Sequence, residues 1–384
     1  MKFSRLTYSL GGVFLCYGAV LFTFGPCLTS MAEAFQVPLG RLGLIFTVYA
    51  VGLIPSALVN GYLSETAGRR LPLLGIVLLM AVGCALFAAV PSFGLRPSFA
   101  LALLVMVGIG YAAGGIEVLT NIVITDDNQP APAVALNITH AFFAVGAVLS
   151  PVCVSALLRA GLPWGFAFYG EAALFFVAFL VLLPQRVPRA GGEPFSTREA
   201  LSMLRVPLMW MLLGMIALYV GAETGVSAWV SPLMEKVLHA SREAAGLSVS
   251  VLWAFMVVGR VVVTPLSARF RPPPLLFVLA LGSAAGAAGV AFSRSTVGCL
   301  VASGLTGLFM SGIFALVLAD AARHIHHRLG AAFGLIMAGV GLGALVVPAA
   351  MGLIADVAGL RAAMLIPSAL LLAVAITYLV RRSQ

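Results

Sequence analysis

Two short stretches set carboxyl groups among apolar neighbours: "GGIEVLTN", residues 114–121, and "YVGAETGVSAWV", residues 219–230. Glu117 and Glu223 are read as the acids well inside long apolar runs, with the other acidic residues in loops or near run ends. An ionised carboxylate at the centre of a membrane helix costs about 2.5–3.5 kcal/mol, so such a group faces a cavity, takes a proton or pairs with a polar neighbour. Asn121 follows Glu117 by four residues and so shares its helical face. In "ALNITHAFF", Asn137 and His140 are three apart and again share a face. The turn "TDDNQPAPA" between these runs makes their helices antiparallel, which predicts Asn121 level with Asn137 and Glu117 level with His140. Around Glu223, Tyr219 and Trp229 offer a hydroxyl and an indole on the same run. Arg260, in "VVGRVVVTP", is read as reaching for the membrane surface, with pairing to Glu223 as the alternative.

These groups can hold a proton and hydrogen-bond a polar solute. No nucleophile–base pair, metal set or phosphate loop accompanies them, so the chain is read as neither an enzyme nor the holder of a cofactor. The tract "ARHIHHRLG", residues 322–330, lacks cysteine and is read as a basic loop rather than a metal site. Five cysteines are scattered singly, at a spacing that fits small packing residues.

The elements that must position these residues follow from composition. Of 384 residues, 61% are hydrophobic and 9% charged, and the mean hydropathy is +1.10. No soluble core absorbs that much apolar surface, whereas a bilayer accepts apolar runs of about 20 residues that close their backbone hydrogen bonds as helices. Twelve such spans are read, from 8–31 to 361–380; the first is too long for a cleaved signal peptide. With the N-terminus inside, 14 basic residues fall on cytoplasmic segments and 7 on outer loops. That bias predicts both termini in the cytoplasm. The net charge of +9 is then a property of topology, and nucleic-acid binding is excluded.

The polar segment 185–206 divides the spans six and six, giving bundles at 1–184 and 207–384 joined by a cytoplasmic linker. The halves echo each other: "GAVLSP" at Gly146 and "GALVVP" at Gly343 lie 197 positions apart, as do "GGI" at Gly114 and "SGI" at Ser311. The predicted fold is an all-α membrane protein of 12 transmembrane helices in two pseudo-symmetric six-helix bundles.

"GYLSETAGRR", which begins at Gly61, resembles the loop between helices 2 and 3 of the major facilitator superfamily, with Glu65 where an aspartate is usual, Gly68, and Arg69 and Arg70 at the basic positions. By that resemblance the loop is a conformational switch. "GxE" with Asn121 four later, "LN" at Asn137 and "YVGAE" at Glu223 are similar to the fucose:proton symporter group and its sugar-transporting relatives. The resemblance implies a secondary active transporter of a small polar solute, a sugar or related compound. It implies proton coupling through Glu117 or Glu223, a hydrogen bond from Asn137 to a sugar hydroxyl and a second site carboxylate at Glu223; Asn121, His140, Tyr219 and Trp229 are read beside them as candidate substrate contacts. Sodium in place of the proton stays open, and a monomer in the inner (plasma) membrane is expected. The chain departs from the group in two ways: span 1 carries no acid, and no asparagine follows Asn137. A polyol is therefore sparsely served by the second half, which keeps a proton-driven exporter of amphipathic compounds as the alternative.

Overall fold

The computed structural model describes residues 3–66, 68–94, 98–127, 132–188, 205–269, 272–317 and 329–382. Among them there is no strand. Twelve long helices run in the order α1 (Arg5–Phe35), α2 (Gly43–Thr66), α3 (Arg70–Ala89), α4 (Ser98–Asp127), α5 (Pro132–Arg159), α6 (Gly165–Leu182), α7 (Pro207–Lys236), α8 (Arg242–Arg269), α9 (Pro272–Phe292), α10 (Thr296–Met310), α11 (Leu329–Ala358) and α12 (Leu365–Arg382). Among the described residues, twelve segments are long and apolar enough to cross a membrane, in line with the twelve spans read from the sequence. A helix satisfies its own backbone polar groups, and only its ends need help. Ser4 supplies that help for α1 by accepting from the Thr7 backbone N–H, and Ser295 does the same for α10 through the Gly298 N–H.

The helices are apolar on their outer faces as well as in the core, unlike those of a water-soluble protein. On α6, Phe168, Glu171, Phe175, Ala178 and Leu182 form the buried stripe, while Leu174, Phe176, Val177 and Leu180 point outward. Exposed Leu and Val recur along the other helices, among them Leu104, Val261 and Val301. Apolar side chains on the outside are stable only where the surroundings are apolar too.

The chain forms two compact units: Met1–Val37 with Leu44–Pro194, and Pro38–Gly43 with Phe195–Gln384. In the first, α1 packs on α5 and α6, and α3 on α4 and α6. In the second, α7 packs on α11 and α12, and α9 on α10 and α12. The same pairings recur six helices later, which makes the two six-helix bundles pseudo-symmetric. The second unit also takes in a short turn, Leu39–Leu42, whose Gly40 N–H donates to Asp356 Oδ1 at 2.9 Å. Of the expected linker 185–206, residues 189–204 lie outside the described residues.

Glycine sets the closest crossings. Within "GIGYAAGG", a Cβ on Gly110 would press into the Tyr49 carbonyl oxygen of α2, while one on Gly108 would meet nothing. In the second unit Gly307 lies against the Leu252 carbonyl of α8 in the same way, 197 positions after Gly110. Gly146 and Gly343 repeat this relation, against Leu15 of α1 and Ala217 of α7. The repeat seen in the sequence is thus a repeat of backbone contacts.

Overpacking of this kind typically costs about 1–3 kcal/mol. Gly110→Ala and Gly307→Ala are expected to lower the unfolding temperature of the purified protein by that order. Gly108→Ala, two residues from the first, leaves it unchanged or slightly raised. Equal effects of Gly108→Ala and Gly110→Ala in a thermal unfolding assay would contradict this packing.

Candidate functional site

In the first unit, α4 carries Glu117, which is partly exposed. The Tyr17 hydroxyl of α1 and the Asn121 side chain hydrogen-bond to it. Tyr49 of α2 lies beside the same Tyr17–Glu117 pair. The Gly110–Tyr49 crossing holds α2 close enough to α4 for this. Three helices therefore converge on one carboxyl, and two tyrosines from α1 and α2 join the cluster expected around Glu117. His140 sets its ring edge-on to Phe14, 5.1 Å between centroids, and Phe14 is edge-on to Tyr17 at 5.9 Å. The polar residues of α4 and α5 thus meet through side chains of α1. Asn137 lies on α5, but its side chain falls outside the described residues.

In the second unit the Tyr219 hydroxyl donates to Glu223 Oε1 at 3.2 Å, one turn along α7. Glu223 is partly exposed. The Arg260 charge on α8 is within electrostatic reach of both residues. Arg260 is itself exposed, so it keeps its reach toward the surface while its charge bears on the α7 carboxyl. Trp229 is fully buried, and its Nε1–H donates to the Pro348 carbonyl of α11 at 3.0 Å. In this conformation it ties α7 to α11 and presents no open face for a solute. Trp253 donates to Ser227 Oγ at 3.3 Å.

A third carboxyl escaped the sequence reading. Glu171 sits mid-way along α6 at 7% exposure, facing Thr23 of α1 and Ser150 of α5. The sequence reading counts it among the acids near run ends, yet α6 buries it on the Phe168–Phe175 stripe. The available signal was that stripe itself, with spacing i, i+3, i+7 and a carboxyl at its centre.

At the α2–α3 turn, Gly68 takes φ +80°, a conformation that suits glycine. Arg69 is buried and forms a salt bridge with Asp126 at the end of α4. Arg70 donates to the Leu183 carbonyl at 2.6 Å, just beyond α6. Asp127 accepts from Ser4 and Thr7 of α1. The turn and the two aspartates therefore tie the ends of α1, α3, α4 and α6 together. The sequence reading picked out the arginines and missed their acidic partner. Gly61 and Glu65 fall on α2, where their surroundings lie outside the described residues. So does most of the histidine tract, through residue 328.

The family profile described as Major Facilitator Superfamily matches residues 10–328 and 212–384. A TsgA homolog of Erwinia tasmaniensis is 23% identical over 69% of this chain and 66% of its own length. The chain thus aligns with just under two thirds of that relative. The 3-(3-hydroxy-phenyl)propionate transporter of Escherichia coli K12 is 26% identical, over 80% of this chain and 77% of its own. Among solved structures, the nucleoside transporter NupG superposes with a TM-score of 0.81 at 13% identity, covering 98% of both chains. The E. coli fucose:proton symporter FucP gives 0.66 at 18% identity, again with 98% of both chains covered. At such identities the likeness is one of fold.

Removing one partner of a hydrogen bond to a buried charge costs about 1–3 kcal/mol. Asp126→Asn is expected to destabilise the protein by that order, since it weakens the bond to buried Arg69. Arg70→Ala removes an exposed contact and stays within about 0.5 kcal/mol of the parent. Denaturation of the purified variants orders them; an Arg70→Ala effect as large as that of Asp126→Asn would refute the assignment.

Proposed function

Because this chain belongs to the major facilitator superfamily, we propose that it is a secondary active transporter that moves a small polar solute, a sugar or related compound, by alternating access coupled to protons. The observation that carries the reading is that each bundle holds one partly exposed carboxyl bonded to a tyrosine: Glu117 with Tyr17, and Glu223 with Tyr219. A neutral carboxyl is far cheaper to occlude in a low-dielectric interior than a charged one. Protonation of Glu117 or Glu223 therefore changes which conformations are accessible, and a solute that favours one of them shifts the same equilibrium. Asn121, Asn137 and His140 are the hydrogen-bonding groups offered to the solute by the first bundle, and Tyr219 and Glu223 those of the second. Trp229 takes part only if α7 and α11 separate. The turn with Gly61, Glu65, Gly68, Arg69 and Arg70 acts as the conformational switch, its charges exchanging partners as the helix ends move.

In this reading the protein works as a monomer in the inner (plasma) membrane, with both termini and the 185–206 linker on the cytoplasmic side, in keeping with the distribution of basic residues. No nucleic acid and no cofactor takes part.

The second reading is a proton-driven exporter of amphipathic compounds. Two observations favour it: no asparagine follows Asn137, and the chain resembles a transporter named for 3-(3-hydroxy-phenyl)propionate, a molecule with both an aromatic ring and an acid.

Ligand that binds the folded state raises its stability, by about 2.7 kcal/mol at a concentration 100 times the dissociation constant. Thermal unfolding of the purified protein with a panel of sugars, organic acids and amphipathic compounds is expected to show selective stabilisation by a sugar, and stabilisation by amphipathic compounds alone would favour the exporter. With the stabilising compound as substrate, Glu117→Gln is expected to abolish accumulation driven by a pH gradient in proteoliposomes while the protein stays folded. Full retention of driven uptake would reject Glu117 as the coupling group.

A further inference from the structure

We propose that Glu171, with Thr23 and Ser150, forms a second intramembrane proton site, distinct from Glu117 and Glu223, which is occupied in this conformation and exchanges its proton when the first bundle changes shape.

A proton on Glu171 completes the hydrogen bonds around it. Thr23 Oγ1 lies 3.1 Å from the Ala19 carbonyl, 2.7 Å from Ser150 Oγ and 3.2 Å from Glu171 Oε1. A hydroxyl has one hydrogen and two lone pairs. All three contacts become hydrogen bonds in one arrangement: Thr23 donates to Ala19, Ser150 donates to Thr23, and Glu171 Oε1–H donates to Thr23. In the ionised state Thr23 must turn its single hydrogen to Glu171, and the Ala19 contact loses its donor. The carboxylate would then rest on one donor, with Oε2 buried and without a partner. A carboxylate accepts up to about four hydrogen bonds, and one held away from water needs most of them.

Nothing nearby replaces the proton. Among the described residues, the titratable groups facing Glu171 are Cys16 from α1 and Cys84 from α3, both buried thiols; α5 contributes Ser150. Among the described residues no basic side chain forms an ion pair with Glu171. One turn earlier on α6, Phe168 packs against Phe24 and Phe87 with ring centroids 5.0 Å away in each case, closing that side with aromatic surface.

Packing does not call for the acid either. In the second bundle Val347 of α11 lies 197 positions after Ser150, the offset that relates the glycine crossings of α5 and α11, and Ser368 lies on α12. There Val347 packs on Gly225 and Ser368 donates to the Ala284 carbonyl, and no carboxyl takes part. The junction also lies at the irregular points of two helices: α1 carries Pro26 three residues past Thr23, and α5 carries Pro151 next to Ser150. Proline removes a backbone bond and lets a helix bend. Bending of α1 or α5 separates Thr23 and Ser150 from α6 and opens Glu171 to water. Release then breaks the Oε1–H bond and passes the proton to water, and uptake reverses that transfer.

This site does not depend on which of Glu117 and Glu223 carries the coupling proton. Infrared difference spectroscopy of the protein in lipid membranes reads it directly, through the carbonyl stretch of a protonated carboxylic acid. Glu171→Gln, which has the shape of the neutral acid, is expected to fold and to lose one such band at neutral pH, while Glu117→Gln retains that band. In the parent, the same band is expected to vanish on a jump to alkaline pH and to return on reversal. An unchanged acid region in Glu171→Gln overturns the proposal, because the group is then ionised. A band that never titrates while the protein stays folded overturns it too, as does loss of the band on adding sodium at constant pH, which marks a metal-cation site. Should Glu171→Gln fail to fold, Thr23→Val removes the partner of the acid and keeps the acid itself: a shifted carbonyl band supports the site, and an unshifted one overturns it.

Discussion

Helices in a bilayer gain no hydrophobic advantage from touching one another, because lipid is as apolar as leucine, so their association rests on close backbone packing and on the hydrogen bonds that such packing permits. In each bundle the tightest crossings occur where a glycine lies on the carbonyl of a neighbouring helix: Gly110 on Tyr49 and Gly146 on Leu15, then Gly307 on Leu252 and Gly343 on Ala217. The polar chemistry depends on these crossings. Tyr49 reaches the Tyr17–Glu117 pair because α2 lies against α4, and Thr23 reaches Ser150 because α1 lies against α5. Wider spacing would leave each of these groups without its partner at a depth where water cannot take over.

The two bundles share a frame and differ in their chemistry. The first buries Glu171 and gathers tyrosines from two helices around Glu117. The second holds Glu223 with one tyrosine from its own helix and an arginine from the next. Duplication accounts for the common crossings, and substitution inside a fixed frame accounts for the rest, since a side chain can change more freely than a backbone contact. Val347, which stands where α5 has Ser150, packs on Gly225 with no hydrogen-bonding group.

What was legible in the sequence follows the same division. Apolar length and the 197-residue echo depend on composition and order, and they yielded the twelve helices and their two bundles. The isolated acids Glu117 and Glu223 stood out because polar residues follow them at helical spacing. Glu171 did not, since its partners Thr23 and Ser150 are 148 and 21 residues away in the chain and meet it only through α1 and α5. The same holds for Tyr17 and for Asp126, the partner of Arg69. Trp229 shows the other side of this: an indole that could stack on a solute by type bonds here to the Pro348 carbonyl, which no pattern along α7 announces. A pattern along one helix reveals which face is distinctive, and only the packed bundle reveals what that face meets.

The order of synthesis gives the buried stripe of α6 one more consequence. A carboxyl in an apolar segment raises the cost of leaving the translocon by about 2.5–3.5 kcal/mol, against about 0.3–0.6 kcal/mol gained by each large apolar residue. The α6 segment carries enough Leu, Phe and Val to enter the bilayer despite Glu171. Because α1 and α5 precede it in the chain, Thr23 and Ser150 are already in the membrane when the acid arrives. The partners wait for the carboxyl during biogenesis, so the least lipid-compatible side chain of α6 need not pass through a stage in which nothing in the membrane can receive it.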